Sequence, residues 1–229
     1  MKSYYDDYKY INQFGINQCF VDACSIGNLE EVKYLLLSKE IKYNAEIHYG
    51  EDYAFRNSCY KGHLHIAKYL LTSPELNEHA DIHAQNEGAL WTACENGHFD
   101  VVKYLLTSKE LKENSNINLE CAGSPLSWAC VNNHLEIVKF LLTSPELNKH
   151  ADLHKNEDEA FRWACKNNHL DIIRYFIFEL NIPKSAYIVQ HLKELPNERV
   201  EHMFDLRDLN KELNKDLYSN EFKMKKNKV

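Results

Sequence analysis

The sequence predicts an all-α protein, an α-solenoid of five stacked helix-turn-helix repeats with helical caps at both ends. Three observations carry that prediction. Cys24, Cys59, Cys94, Cys130 and Cys165 recur every 35 or 36 residues, and a fixed period of roughly 20–50 residues marks a repeat architecture. Only 7 Gly and 5 Pro occur among 229 residues, too few turn residues for a β-sandwich or barrel. Apolar residues inside each repeat follow helical spacing, not strict alternation. A composition of 44% hydrophobic and 27% charged residues is that of a globular chain and excludes wholesale disorder.

In chain order, residues 1–16 place Tyr4, Tyr5, Tyr8 and Tyr10 among Asp and Lys and read as an N-terminal cap. The repeats follow over about 17–52, 53–87, 88–122, 123–158 and 159–182. Four residues before each cysteine stands Phe20, Phe55, Leu90, Leu126 or Phe161, and one before it Ala23, Ser58, Ala93, Ala129 or Ala164. These positions fall on one helix face, which is the predicted core. Three residues after the cysteine come Gly27, Gly62, Gly97, Asn133 and Asn168, the residues that adopt a left-handed helix end at least cost. A second helix begins one step later, at His63, His98, His134 and His169, the histidines being expected to brace the turn between helices. Ser73-Pro74 and Ser144-Pro145 end the second helix, since the residue before Pro is driven out of the α region. Helices this short must bury their apolar faces on neighbouring units.

Residues 183–222 read as a helical cap or a degenerate sixth repeat, with a helix over Ser185–Glu194 and leucines at 206, 209, 213 and 217 forming a stripe fit for docking on the last repeat or on a partner helix. Residues 223–229 read as a basic disordered tail.

Gly97-His98-Phe99-Asp100-Val101-Val102-Lys103-Tyr104-Leu105-Leu106 and Ala80-Asp81-Ile82-His83-Ala84 resemble the ankyrin repeat, with its Gly-His-Leu-x-Ile-Val-x-x-Leu-Leu run and its Ala-Asp-Val-Asn-Ala turn. The Thr-Pro-Leu-His tetrapeptide of that family is missing, and Ser124-Pro125-Leu126-Ser127 is its nearest relic. The loop Thr72–His79 is longer than the family's and the stretch Ala84–Leu90 shorter, which predicts a lengthened-loop subtype without a full projecting β-hairpin finger. The resemblance implies a protein-binding module whose first helices line a concave face.

Comparing the repeats with one another locates the candidate face. Framework positions repeat, whereas the positions at −3, −2, +1 and +2 from the cysteine differ from copy to copy. They supply the candidate partner-binding residues Arg56, Tyr60, Lys61, Trp91, Thr92, Glu95, Trp128, Val131, Arg162, Trp163 and Lys166. Trp and Arg are enriched at binding hot spots, and Arg162 with Lys166, like Arg56 with Lys61, suggests a basic patch for an acidic ligand. The tryptophans could equally lie between repeats as core.

Catalytic and metal chemistry find no pattern to rest on. Cys-x-x-Cys is absent, and the periodic cysteines read as small buried apolar residues. His79/His83 and His150/His154 have an i, i+4 spacing but sit in a loop without a third ligand. No phosphate-binding loop or nucleophile elbow occurs, and the acidic residues read as solvated charges at first turns and loops. Twenty-seven basic against 34 acidic residues, a net charge of −7, argue against nucleic-acid binding. No apolar run suits a membrane span or signal peptide, and free thiols suit a reducing compartment. The expectation is a cytoplasmic, monomeric, non-enzymatic module without cofactor, metal or small-molecule substrate, binding a partner protein. Heavy use of Lys, Asn and Tyr resembles host-associated bacterial and giant-virus ankyrin proteins, which implies a host-directed factor in the host cytoplasm. Leu195-Pro196-Asn197-Glu198 followed by Met203-Phe204 resembles the start of an F-box. That resemblance implies the alternative of a substrate adaptor recruiting a ubiquitin ligase.

Overall fold

The computed structural model describes residue 8 and residues 11–118, 123–194 and 197–226. Among them are twelve α-helices and no strand. The chain divides into two compact units, residues 1–152 and 153–229.

The first unit holds four helix pairs: α1 (Gln13–Ile26) with α2 (Leu29–Leu37), α3 (Tyr49–Tyr60) with α4 (Leu64–Thr72), α5 (Ala84–Glu95) with α6 (Phe99–Thr107), and α7 (Pro125–Val131) with α8 (Leu135–Thr143). First helices pack on first helices, α1 on α3, α3 on α5 and α5 on α7; α6 packs on both α4 and α8. The core is the one the period predicts. Cys24, Cys59, Cys94 and Cys130 are buried, as are Phe20, Phe55, Leu90 and Leu126 four residues earlier. Burial pushes the Cys59 thiol up to about 12, so it stays protonated and packs as a small apolar group.

The turn between paired helices is left-handed at Gly27 (φ 83°), Gly62 (φ 76°), Gly97 (φ 77°) and Asn133 (φ 62°). The histidine after it has a different task from the one expected. His63 Nε2 reaches back to the Ser25 carbonyl (2.9 Å), His98 to Tyr60 (2.8 Å) and His134 to Glu95 (2.9 Å). Each ring bonds the previous repeat's first helix and lies directly over its turn glycine. A Cβ on Gly97 would sit 2.5 Å from the His134 ring, so glycine is set by the neighbour's approach as well as by φ.

Second helices end on an extended serine, Ser38, Ser73, Ser108 or Ser144, whose hydroxyl accepts the N–H two residues on. The long loop is then pinned back to the same serine carbonyl by Asn44 (2.9 Å), His79 (2.9 Å), Asn114 (3.1 Å) and His150 (2.9 Å).

The sequence gives no warning of how α3 and α5 begin. Gly50, Glu51 and Asp52, and likewise Gln85, Asn86 and Glu87, are three successive left-handed residues leading into each helix. The acid closing each turn is buried, Asp52 at 4% and Glu87 at 2% exposure, which overturns the reading of the acids as uniformly solvated. His48 Nδ1 lies 2.9 Å from Asp52 Oδ1, and His83 Nδ1 2.5 Å from Glu87 Oε1. Asp52 also accepts the Asp81 N–H of the next repeat at 3.2 Å. In the first repeat the neutral pair Gln13 and Asn17 takes the same places, Asn17 accepting the Glu46 N–H at 2.9 Å. Left-handed residues other than Gly cost about 1–2 kcal/mol each, and these inter-repeat bonds offset that strain.

The second unit repeats the design in α9 (Lys155–Lys166) and α10 (Leu170–Arg174), which runs into a π-helical turn, Tyr175–Glu179. Asn156, Glu157 and Asp158 form the left-handed entry, with His154 Nδ1 2.6 Å from the buried Asp158. Cys165 is buried, and burial pushes its thiol up to about 12. Helix α11 (Ala186–Glu194) packs on α9, and α12 (Glu198–Lys226) on the π-helical turn. Ser185 caps α11 and donates its hydroxyl to Asp158.

Of the two expected partners of the leucine stripe, the last repeat is not the one it meets. Leu206, Leu209 and Leu213 are exposed, and the docked face of α12 is Val200, Phe204 and Arg207. The Phe204 ring centroid lies 5.9 Å from that of Phe161, and Arg207 donates to the Ile182 carbonyl. Leu195-Pro196, Cys121, residues 227–229 of the tail and most of the N-terminal segment lie outside the described residues.

Candidate protein-binding face

The candidate residues sit on α3, α5 and α7 in the first unit and on α9 in the second, and each unit arranges them in its own way. On α3, Tyr60 and Lys61 are exposed, with Lys61 Nζ 4.9 Å from the Tyr60 ring centroid. Arg56 is committed elsewhere. Its Nε donates to the Glu51 carbonyl (3.0 Å) and its Nη2 to Gly50 (3.1 Å), so it closes the left-handed turn instead of offering a free charge. Its stem packs so close to α5 that a Cβ on Gly88 would lie 2.7 Å from Arg56 Cδ.

On α5, Thr92 is buried and donates to the Gly88 carbonyl at 2.7 Å, which makes it framework. Trp91, Glu95, Trp128 and Val131 are half-buried. Trp91 and Trp128 stack across the two repeats, with centroids 5.9 Å apart and planes 29° from parallel. The Trp128 indole covers Gly123 (φ 87°), where a Cβ would lie 2.7 Å from its Nε1. Each tryptophan is therefore partly inter-repeat packing and partly open surface. The asparagines at +2 are helix-end caps: Asn96 donates to the Thr92 carbonyl (2.8 Å) and Asn132 to Trp128 (3.1 Å).

On α9, Arg162 repeats the arrangement of Arg56, bonding the Glu157 carbonyl (2.9 Å) and that of Asn156 (3.0 Å). Trp163 donates its indole N–H to Glu159 at 3.3 Å, and Lys166 Nζ sits 4.5 Å from the Trp163 ring centroid. Sequence reasoning missed Tyr187 and His191 on α11, which face this part of α9 across a groove. Their spacing of four residues was the only signal, and it acquires meaning once α11 is docked on α9.

The histidine pairs are likewise separated into different tasks. His79 and His150 pin loops, whereas His83 and His154 each face a buried acid. Burial alone would depress His83, but the carboxylates of Glu87 and then Glu113 hold it above its usual value. Burial pushes Asp52 above the usual carboxylate range, against the Asp81 N–H and His48, which pull it down. Among the described residues no three His, Cys, Asp or Glu side chains group as metal ligands. No helix among them is long and apolar enough to cross a membrane.

Stacked helix pairs joined by a left-handed Gly-His turn define a helical repeat scaffold. The profile of ankyrin repeats (three copies) matches residues 20–120 and again 107–186, and the chain belongs to the ankyrin repeat family. Ankyrin repeats are in general protein–protein interaction modules. No curated protein matches the chain.

Proposed function

We propose that the chain is a non-enzymatic binding module that holds a partner protein on the exposed parts of its first helices. The observation that carries this reading is the Trp91–Trp128 stack. It builds a half-open aromatic plate on two helices whose opposite faces are locked by Cys94, Cys130 and their neighbours. Aromatic side chains on a rigid support bind with little ordering cost. Tyr60, Lys61, Glu95 and Val131 belong to the same unit's face; Trp163 and Lys166 form a second contact region on α9. Arg56, Arg162 and Thr92 act as supports of that surface. Cysteines packed singly in the core, one per repeat, suit action in a reducing compartment such as the cytoplasm.

The test is capture by the immobilised chain, native against a variant carrying Trp91→Ser, Trp128→Ser and Lys166→Ser. The expected result is loss of the captured partner with the melting temperature lowered by no more than a few degrees. A collapse of the fold in that variant, or undiminished capture, would refute the assignment.

A further inference from the structure

Helix α12 carries more apolar surface than its own unit covers. Val200, Phe204 and Arg207 are buried in its N-terminal part, whereas from Asp208 to Lys215 every residue is exposed. Leu206, Leu209 and Leu213 stand in water at 39%, 52% and 53% exposure. Their spacing, 3 residues and then 4, is that of a coiled-coil seam, which keeps one apolar row turned to a second helix. Contiguous leucines of this kind mark a surface that another chain covers.

The charges along this row are one-sided. An acid immediately precedes each leucine, in Asp205-Leu206, Asp208-Leu209 and Glu212-Leu213. At about 100° per residue these acids form one rim of the apolar face. The residues after the leucines form the other rim, and they are the buried Arg207 and the neutral Asn210 and Asn214. Asp208 is answered by Arg207 at 2.7 Å and by Lys211 at 3.8 Å. Asp205 and Glu212 form no ion pair among the described residues. Lys211 and Lys215 fall on the far side of the helix, and Arg199 and His202 come before the leucine row, at its N-terminal end.

We infer that this face of α12 docks a basic amphipathic helix of a partner protein, its apolar row against Leu206, Leu209 and Leu213 and its Lys or Arg side chains along the rim of Asp205 and Glu212. A second copy of the chain lacks that chemistry. Two α12 helices paired antiparallel set acid rim against acid rim, and paired parallel they set it against the asparagine rim. Cations on the partner answer both acids and fix its register on the leucines. This docking does not rest on the first-helix face and holds or fails without it.

Fluorescence anisotropy of the full chain tests the inference with two labelled helical peptides that carry Leu at the a and d positions. One has Lys and the other Glu at the flanking e and g positions. The Lys peptide should bind on the order of tenfold more tightly than the Glu peptide, the difference shrinking as salt rises. Leu209→Gln with Leu213→Gln should weaken the Lys peptide on the order of tenfold or more. Asp205→Lys with Glu212→Lys should reverse the preference between the peptides. Both variants should keep the native melting temperature, because all four side chains are exposed. Equal binding of the two peptides, binding of neither, indifference to the leucine substitutions, or an unchanged preference after charge reversal would each overturn the inference. So would self-association of the chain in sedimentation velocity, or flotation with phosphatidylcholine vesicles, that the leucine substitutions abolish, since a second copy or a lipid surface would then be the occupant. None of these results bears on capture through Trp91 and Trp128.

Discussion

Gly97→Ala tests how one repeat is locked to the next. Gly97 has φ 77°, and its absent Cβ would lie 2.5 Å from the His134 ring. Alanine there costs about 1–2 kcal/mol for the left-handed conformation. The methyl also displaces the ring and breaks the 2.9 Å bond to the Glu95 carbonyl, a further loss of about 1 kcal/mol. The expected destabilisation is therefore roughly 2–3 kcal/mol, or a fall of about 4–12 °C in melting temperature for a chain of this size. Urea unfolding followed by circular dichroism measures it. The decisive experiment adds His134→Ala. Removing the ring relieves the clash and loses the same hydrogen bond only once, so the double variant should be less destabilised than the sum of the singles by about 1 kcal/mol. Strict additivity, or a Gly97→Ala cost below about 0.5 kcal/mol, would refute the claim that the neighbour's histidine selects glycine here.

Arg162→Ala should lower the stability of the full chain by about 1–2 kcal/mol, because two charge-assisted bonds to the left-handed turn are lost, whereas Lys166→Ala should leave thermal melting unchanged. His83 has a raised folded value, so its stabilising contribution is complete below the unfolded value and fades as pH rises through the folded one. The native chain should therefore lose urea resistance over that interval relative to His83→Ala, and parallel pH profiles would refute the pairing with Glu87 and Glu113. Cys24, Cys59, Cys94, Cys130 and Cys165 are buried while Cys19 is half-exposed. A thiol reagent should therefore modify Cys19 in the native protein and reach the five only at the rate of unfolding. Prompt modification of Cys94 would contradict the packing.

What could be read in advance divides along physical lines. The cysteine period, the left-handed Gly or Asn and the helical spacing of the apolar residues all report local backbone preference or one-sided burial, and the structure follows them closely. The candidate face was only half legible. Trp91, Trp128, Trp163 and Lys166 do reach the surface, but variability between copies also picked out Thr92, which is buried, and Arg56 and Arg162, which bond the carbonyls of the left-handed turn leading into their own helices. The repeated His and acid at −11 and −7 from the cysteine, as in His48/Asp52, His83/Glu87 and His154/Asp158, were in plain view. Their meaning was hidden because a carboxylate's burial depends on the neighbouring repeat that covers it.

The sequence by itself determined the unit: a helix pair of about 35 residues, repeated, with a prescribed apolar face and a left-handed joint. Those properties follow from short-range sterics and from the need to bury apolar area, and both are written in residue order. The tertiary structure alone decided how units clasp one another. It set histidine rings over the preceding glycines and buried acids against the next loop. It also turned Leu206, Leu209 and Leu213 outward while Val200, Phe204 and Arg207 docked. Each depends on groups brought together by stacking across 25 or more residues, a proximity that no local pattern encodes.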